Sequence, residues 1–171
     1  MSFSKEKDMT EIVRLWLLSQ CDIAETELGC GFCGEYIPDL VGASFDPEKI
    51  KLIKRYNPMS RARIRKLIED GRAPERFHTD LVGVELKLRN FPEAYFQAKM
   101  YQSFGMRSFI GMPKEALSCL KSIRVSVLRM DGIGLLSVTT DECKVVLKAR
   151  KVKSNYEEEY QITERLRPNN A

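Results

Sequence analysis

The spacing of apolar positions predicts a helix and two strands in the first quarter of the chain. Residues 4–20 place apolar side chains at helical spacing and predict one helix with a broad buried face. Loose alternation over 22–28 predicts a strand, and glycines mark the turn after it. Residues 35–42 predict a second strand, antiparallel to the first, in which Pro38 indicates an edge position or an irregularity.

The rest of the chain alternates strands and helices after a helical interruption. The expected elements are a strand over 80–88, a helix from Asn90 to Gln102, a strand over 107–112, a helical stretch opened by Pro113, and strands over 133–138 and 144–149. Residues 44–77 predict short helices inserted between the second and third strands. The polar residues 150–171 predict a solvated tail. We therefore expect one α/β domain over 1–149 with a mixed sheet flanked by helices.

Composition narrows the classes of protein. The chain has 171 residues, 43% of them hydrophobic and 30% charged, as expected of a soluble globular protein. It has no apolar run of about 18 residues, and its start does not resemble a secretory signal. Five cysteines without such a signal indicate reduced thiols and a cytoplasmic protein. A single histidine, His78, excludes most Ser-His-Asp hydrolases and multi-histidine metal sites.

Three of the cysteines lie close together in the sequence, at Cys21, Cys30 and Cys33. One interpretation is half of a metal site, completed by His78, Cys119 or Cys143, in a small regulatory module. The other is a set of small buried apolar side chains beside a glycine-rich turn. We favour the second, because zinc sites usually need a second C-x-x-C pair or two spaced histidines.

Positive charge is concentrated in the insertion. The whole chain carries +4, whereas residues 47–76 hold ten basic and four acidic side chains, a net +6. Lysine and arginine contacts to phosphates supply sequence-independent affinity for nucleic acid. The candidate contacts are Arg61, Arg63, Arg65 and Lys66. The alternative is a solvated pair of helices whose isoleucines pack on the core, and both descriptions can hold together.

Charged residues on the predicted strands are the candidates for chemistry. Glu85 and Lys87 are two residues apart, so their side chains project from the same face of the third strand. Asp39 follows Pro38 on the second strand. A salt bridge on a solvent-facing edge would also explain Glu85 and Lys87. The apolar neighbours of this pair favour a central strand, where charges need a partner or a metal.

Four motifs in this order resemble the PD-(D/E)XK, or restriction-endonuclease-like, superfamily of nucleases. They are the first helix with Glu11, Pro38-Asp39, Glu85-Leu86-Lys87, and Gln97-Ala-Lys-Met-Tyr101, the last similar to the RecB-like branch. The resemblance covers Thr10 to Val138, with 44–77 as an insertion. The gap between Asp39 and Glu85 is longer than usual. Other carboxylates compete for the role of Asp39, namely Asp80, Glu25 and Glu27.

The resemblance implies a restriction-endonuclease-like fold and a nuclease that uses Mg²⁺ or Mn²⁺, with DNA favoured over RNA as the partner. Carboxylates are preferred ligands for such ions, which neutralise a phosphate and generate hydroxide. In this scheme the metal ligands are Asp39, Glu85, the carbonyl of Leu86 and Glu11. Lys87 orients the attacking water or offsets charge on the phosphate. Gln97 orients Lys87 or the phosphate, and Tyr101 supports it.

A non-catalytic relative that binds nucleic acid or serves as a scaffold is the alternative function. The retained carboxylates favour the enzyme. The insertion joins the strand carrying Asp39 to the strand carrying Glu85, so we expect it to start and end near the site. The sequence predicts no membrane partner and leaves a homodimer, the strand preference and the biological pathway open.

Overall fold

Helices and strands alternate through the structure, a computed structural model that describes residues 3–30, 36–49, 61–72, 78–151 and 156–166. The elements are α1 (Lys7–Leu18), β1 (Ile23–Thr26), β2 (Leu40–Phe45), α2 (Arg61–Glu69), β3 (His78–Leu86), α3 (Phe91–Ser103), β4 (Arg107–Pro113), α4 (Lys114–Ser118), α5 (Ser122–Asp131), β5 (Gly134–Val138), β6 (Cys143–Leu147) and α6 (Tyr156–Leu166). Residues 47–49 are also helical. Among the described residues, no helix is both long and apolar enough to cross a membrane.

The six strands form one mixed sheet in the order β1-β2-β3-β4-β5-β6. The pairs β3–β4 and β4–β5 are parallel, and the other three pairs are antiparallel. Each parallel pair is joined by a helical crossover, α3 in the first case and α4 with α5 in the second. The prediction of an α/β protein with a mixed sheet flanked by helices is confirmed.

Apolar side chains on alternate positions of β3 divide the core between the two faces of the sheet. On one face, Val82, Val84 and Leu86 pack in a cluster with the buried stripe of α1, which is Met9, Val13 and Leu17. On the other face, Leu81 belongs to a cluster that includes buried side chains of α2, α3 and α6. Side chains at odd-numbered positions of β3, including Glu85, therefore face α3.

The second strand is displaced from its predicted position. It begins at Leu40 rather than Glu35, and it lies inside the sheet between β1 and β3 rather than at an edge. Pro38 has no amide hydrogen for a ladder hydrogen bond, and it lies just before the strand together with Asp39. The mostly apolar segment from Leu40 to Phe45, in which every residue except Ser44 is buried, is typical of a strand covered on both faces.

The polar C-terminal segment is a second correction. Instead of a solvated tail, residues 156–166 form α6, which buries Tyr160, Ile162 and Leu166 in the core. The glutamate run at the start of α6 is also partly buried. Glu159 is fully buried, and its Oε1 lies 2.6 Å from Nε2 of the buried His78 at the start of β3. The polar sequence of this segment therefore did not indicate a buried helix, which is held in place partly by the contact between Glu159 and His78.

Candidate functional site

Asp39 and Glu85 converge at one end of β3 because of the strand register. The last antiparallel pair between β2 and β3 is Leu40–Val84, so Asp39 and Glu85 stand at the next opposed positions. Opposed residues in an antiparallel pair project to the same face. Asp39 Oδ2 accepts a hydrogen bond of 2.6 Å from the amide of Leu86, which places its carboxylate beside the end of β3.

Lys87 joins this pair as expected from its spacing. Its Nζ lies 2.9 Å from Glu85 Oε1, with only 12% of the lysine side chain exposed. Two further carboxylates approach the same ammonium, Glu93 at 3.4 Å and Glu6 at 3.7 Å. Lys87 is therefore held at the centre of an acidic group. We call Asp39, Glu85, Lys87, Glu6 and Glu93 the carboxylate–lysine cluster.

One face of α3 lines the cluster. Tyr101 donates a hydrogen bond of 2.6 Å to Glu85 Oε2, and Glu93 contacts Lys87 from the first turn of the helix. Gln97 is four residues from each of them, so it lies on the same face between them. Its Oε1 is buried and has no hydrogen-bond partner in the described part of the chain. The structure thus brings both α3 candidates to the face that lines the cluster.

The acidic residue at the α1 end of the cluster is Glu6 rather than Glu11. The Glu11 side chain is 65% exposed and pairs with Arg14 at 3.0 Å. It lies two residues from both Met9 and Val13, which point to the core, so it projects away from the sheet. Glu6 was missed because it precedes the periodic part of the helix. Its Oε1 accepts a hydrogen bond of 3.3 Å from the amide of Leu88.

Burial and mutual repulsion make the two central carboxylates more basic than usual. Burial raises the pKa of Glu85, the Tyr101 hydrogen bond opposes this, and the charge of Asp39 raises the pKa further. Burial also raises the pKa of Asp39, against the Leu86 amide and Lys87. Burial disfavours the charge on Lys87, but Glu85, Glu6 and Glu93 outweigh it, so the net effect raises the pKa of Lys87. Perturbed groups of this kind often mark functional sites.

The carboxylates offer a metal ion two ligands rather than a complete cage. The described residues contain no group of three or more His, Cys, Asp or Glu side chains arranged to hold a metal. Asp39 and Glu85 could contribute carboxylate oxygens, and Leu86, whose carbonyl is the third candidate ligand, directly follows Glu85 in the sequence. Two carboxylates and a carbonyl suit Mg²⁺, which usually keeps several waters.

The described cysteines do not form one site. Cys21 belongs to the cluster on the α1 face and Cys30 to the cluster on the α3 face, so they pack on opposite sides of the sheet. Burial raises the pKa of Cys21 to about 11 and that of Cys30 to about 12, which keeps both thiols protonated at neutral pH. Cys33 lies outside the described residues. Cys21 and Cys30 act as small apolar side chains.

The points at which the basic insertion leaves β2 and enters β3 lie at the other end of the sheet from Glu85, contrary to expectation. It leaves β2 at Phe45 and enters β3 at His78, which are paired with each other. Glu85 is seven residues further along β3, about 23 Å at a rise of about 3.3 Å per residue. The prediction that the insertion starts and ends near the site is wrong, because Asp39 precedes β2 whereas the insertion follows it.

The predicted phosphate contacts on α2 differ in their surroundings. Ile64 is fully buried, and Arg65 pairs with Glu157 of α6 at 3.2 Å. Arg63 and Lys66 are exposed, and the side chain of Arg61 lies outside the described residues. The helix therefore packs its apolar side on the core, and the Arg65 guanidinium has a carboxylate partner within the protein.

Asp80, a competing carboxylate, has a structural partner. It lies five residues before Glu85 and is bound in a bidentate manner by Arg107 of β4. Its odd spacing from Glu85 puts it on the opposite face of β3, as the sequence indicates. Asp39 remains the carboxylate that meets Glu85.

Comparison with known proteins adds information about the fold. No family model and no curated protein matches the chain. A solved structure of a protein of unknown function from Silicibacter pomeroyi is similar, with a TM-score of 0.59 and 12% identity over 97% of this chain and 86% of that one. At this identity the likeness concerns the fold alone.

Proposed function

We propose that the chain is a metal-dependent nuclease with a restriction-endonuclease-like fold, which acts on nucleic acid and favours DNA over RNA. The observation that carries the proposal is the convergence of Asp39, Glu85 and Lys87 at the end of β3. The order α1-β1-β2-β3-α3-β4, with β3 parallel to β4, also fits the element order of that fold. The hydrogen bond that joins the two ends of this motif set links Asp39 to Leu86, 47 residues apart in sequence.

Asp39, Glu85 and the Leu86 carbonyl would hold Mg²⁺ or Mn²⁺. When bound, such an ion would neutralise the phosphate and lower the pKa of a bound water. Lys87 would place its ammonium beside the non-bridging phosphate oxygens, where it offsets developing negative charge. Glu6 and Glu93 share Lys87 with Glu85, so the lysine can stay anchored if Glu85 turns toward a cation.

Gln97 and Tyr101 would act as positioning residues. The Tyr101 hydroxyl fixes one oxygen of Glu85, which limits the rotation of that carboxylate. The Gln97 Oε1 is buried on the same helix face without a partner among the described residues, and it can accept a hydrogen bond from the Lys87 ammonium or from an ordered water. Both residues thus hold the charged groups rather than react themselves.

A non-catalytic relative of the same fold is the second candidate function. It is favoured by the hydrogen bonds and ion pairs that the carboxylates of the cluster already make within the protein. Both oxygens of Glu85 already have partners, Lys87 and Tyr101, and Asp39 Oδ2 is bound to an amide. A network satisfied in this way can also serve only to stabilise the sheet. Activity of single variants separates these two functions.

The test compares cleavage of single- and double-stranded DNA and RNA by the purified chain in Mg²⁺, in Mn²⁺ and in excess chelator. Asp39→Asn, Glu85→Gln and Lys87→Met should each lower metal-dependent cleavage at least about a hundredfold. Glu11→Gln is the matched control and should leave cleavage unchanged, because that side chain faces solvent. Cleavage by Asp39→Asn at the wild-type rate would overturn the proposal. Binding without cleavage by every preparation would support the non-catalytic relative.

A further inference from the structure

An open cleft of about 890 Å³ adjoins the carboxylate–lysine cluster. Its walls come from the N-terminal segment, the residues that follow β3, the end of β4, and helices α4 and α5. The carboxyl ends of the parallel strands β3 and β4 meet here, which is where open α/β sheets usually bind ligands. Glu6 belongs to both features, because it lines the cleft and contacts Lys87 at 3.7 Å.

Two arginines give the cleft positive charge. Arg89 follows Lys87 by two residues, and Arg124 comes from α5 with its guanidinium 5.1 Å from the centre of the Phe91 ring. Neither guanidinium has a carboxylate partner in the described part of the chain. Glu6 is already engaged with Lys87 and the Leu88 amide. Glu115 also lines the cleft and is exposed to solvent.

The remaining walls are largely apolar. Phe3, Leu88, Met112, Pro113 and Leu120 line the cleft together with the arginines. A base in a duplex hides its faces in the stack, whereas an unpaired base can lie against apolar or aromatic side chains. A volume of this size suits a small molecule or a nucleotide. Apolar walls with two unpaired guanidinium groups therefore match a nucleotide whose base is unpaired.

We propose that this cleft binds one unpaired nucleotide of the substrate strand, next to the phosphodiester held at the carboxylate–lysine cluster. Arg89 and Arg124 contact its phosphate, and the apolar wall holds its base. The protein thereby acts on single-stranded or frayed nucleic acid. This inference rests on the proposed function for the identity of the neighbouring phosphate. The described ends of the basic insertion, at Phe45 and His78, lie at the other end of β3 from the cluster, which supports the inference because phosphates near the site then need other cations.

The test measures binding without divalent metal, so that its result does not depend on cleavage. The probes are a fluorescein-labelled 12-nucleotide DNA strand and the blunt duplex of the same sequence. The wild type should bind the single strand at least tenfold more tightly. Arg89→Gln with Arg124→Gln should weaken single-strand binding at least tenfold and reduce the salt slope by up to about 0.7, the value for one neutralised phosphate of a single strand. Glu115→Gln should strengthen binding, because it removes a negative charge from the cleft.

Arg129→Gln is the matched control, because it removes an exposed arginine from α5 outside the cleft and should leave binding unchanged. Thermal unfolding checks that each variant is folded. Wild-type affinity of the double variant would overturn the inference, and so would equal affinity of the wild type for strand and duplex. If Asp39→Asn abolishes cleavage while the double variant binds normally, the nuclease stands and the cleft assignment fails. If the wild type cleaves nothing but the double variant loses binding, the cleft assignment stands and the proposed nuclease function fails.

Discussion

The hydrogen bond from Tyr101 to Glu85 offers a sharp test of how the cluster is held. Tyr101 is fully buried and Glu85 is 2% exposed, so neither group exchanges its partner for water. Tyr101→Phe keeps the ring and its packing but removes the donor at 2.6 Å from Glu85 Oε2. A hydrogen bond to a charged group contributes about 1.5–3 kcal/mol, and we expect this loss in the free energy of unfolding at pH 7.

The loss should depend on pH. Burial raises the pKa of Glu85 above its ordinary value of 4.5, and the Tyr101 hydrogen bond opposes that shift. A carboxyl group whose folded pKa is raised binds more protons when folded, so its contribution to stability falls as pH rises from 4.5 through the folded pKa. Tyr101→Phe raises the folded pKa further and deepens that fall. At pH 4 the carboxyl is protonated, and the loss should shrink to about 0.5–1.5 kcal/mol.

Urea unfolding at pH 7 and at pH 4, followed by circular dichroism, measures both values. Tyr95→Phe is the control, because it is the same change on the same helix. The Tyr95 hydroxyl donates at 2.5 Å to Asp131, a partly exposed carboxylate that also pairs with Lys99. Its removal should cost less than about 1 kcal/mol at either pH. Equal losses in the two variants, or a Tyr101→Phe loss that does not change with pH, would refute the reasoning.

Three other perturbations test the packing and the charges. Removing α6 should abolish the cooperative thermal transition, because its three buried apolar side chains contribute about 5–9 kcal/mol to the free energy of unfolding. This is close to the whole stability of a domain. A chain without α6 that still melts cooperatively would contradict this prediction. Gly134→Ala should cost about 1–3 kcal/mol in a urea titration, because the new Cβ would lie 2.2 Å from the ring of Phe109; an unchanged midpoint would argue against this packing. In metal-free calorimetry, Asp39→Asn should leave the melting temperature level or higher, since an amide oxygen can still accept the Leu86 N–H bond. Glu85→Gln should lower it by removing the carboxylate nearest Lys87. The opposite order of the two variants would show that the Glu85–Lys87 ion pair does not stabilise the cluster.

Much of the site could be predicted because it depends on short-range geometry. Glu85 and Lys87 share a face through the two-residue period of a strand, and Gln97 and Tyr101 share one through the four-residue spacing of a helix. These relations hold wherever the elements lie in the fold. The prediction that Glu11 lies at the site was wrong because strand and helix spacing does not show which face of a helix meets the sheet. The helix was predicted, but the side of it that faces the sheet depends on Met9, Val13 and Leu17 being buried.

The position of β2 and the packing of residues 156–166 as helix α6 could not be predicted from local sequence patterns. An apolar run such as Leu40–Phe45 is compatible with several strand boundaries until its neighbours are known. The glutamates of α6 resemble a solvated segment until Glu159 meets His78, 81 residues away in the chain. Contacts at such separations depend on the whole arrangement of the sheet.

The spacing of residues along the sequence determined which side chains share one face of a strand or a helix in this protein. The tertiary structure decided which end of the sheet each connection leaves. Asp39 precedes β2 and Glu85 lies near the end of β3, so antiparallel pairing brings them together. The pair Phe45–His78 places the two ends of the basic insertion at the opposite end of the sheet. The physical reason is that hydrogen-bond register relates residues far apart in sequence, and no local propensity encodes that relation.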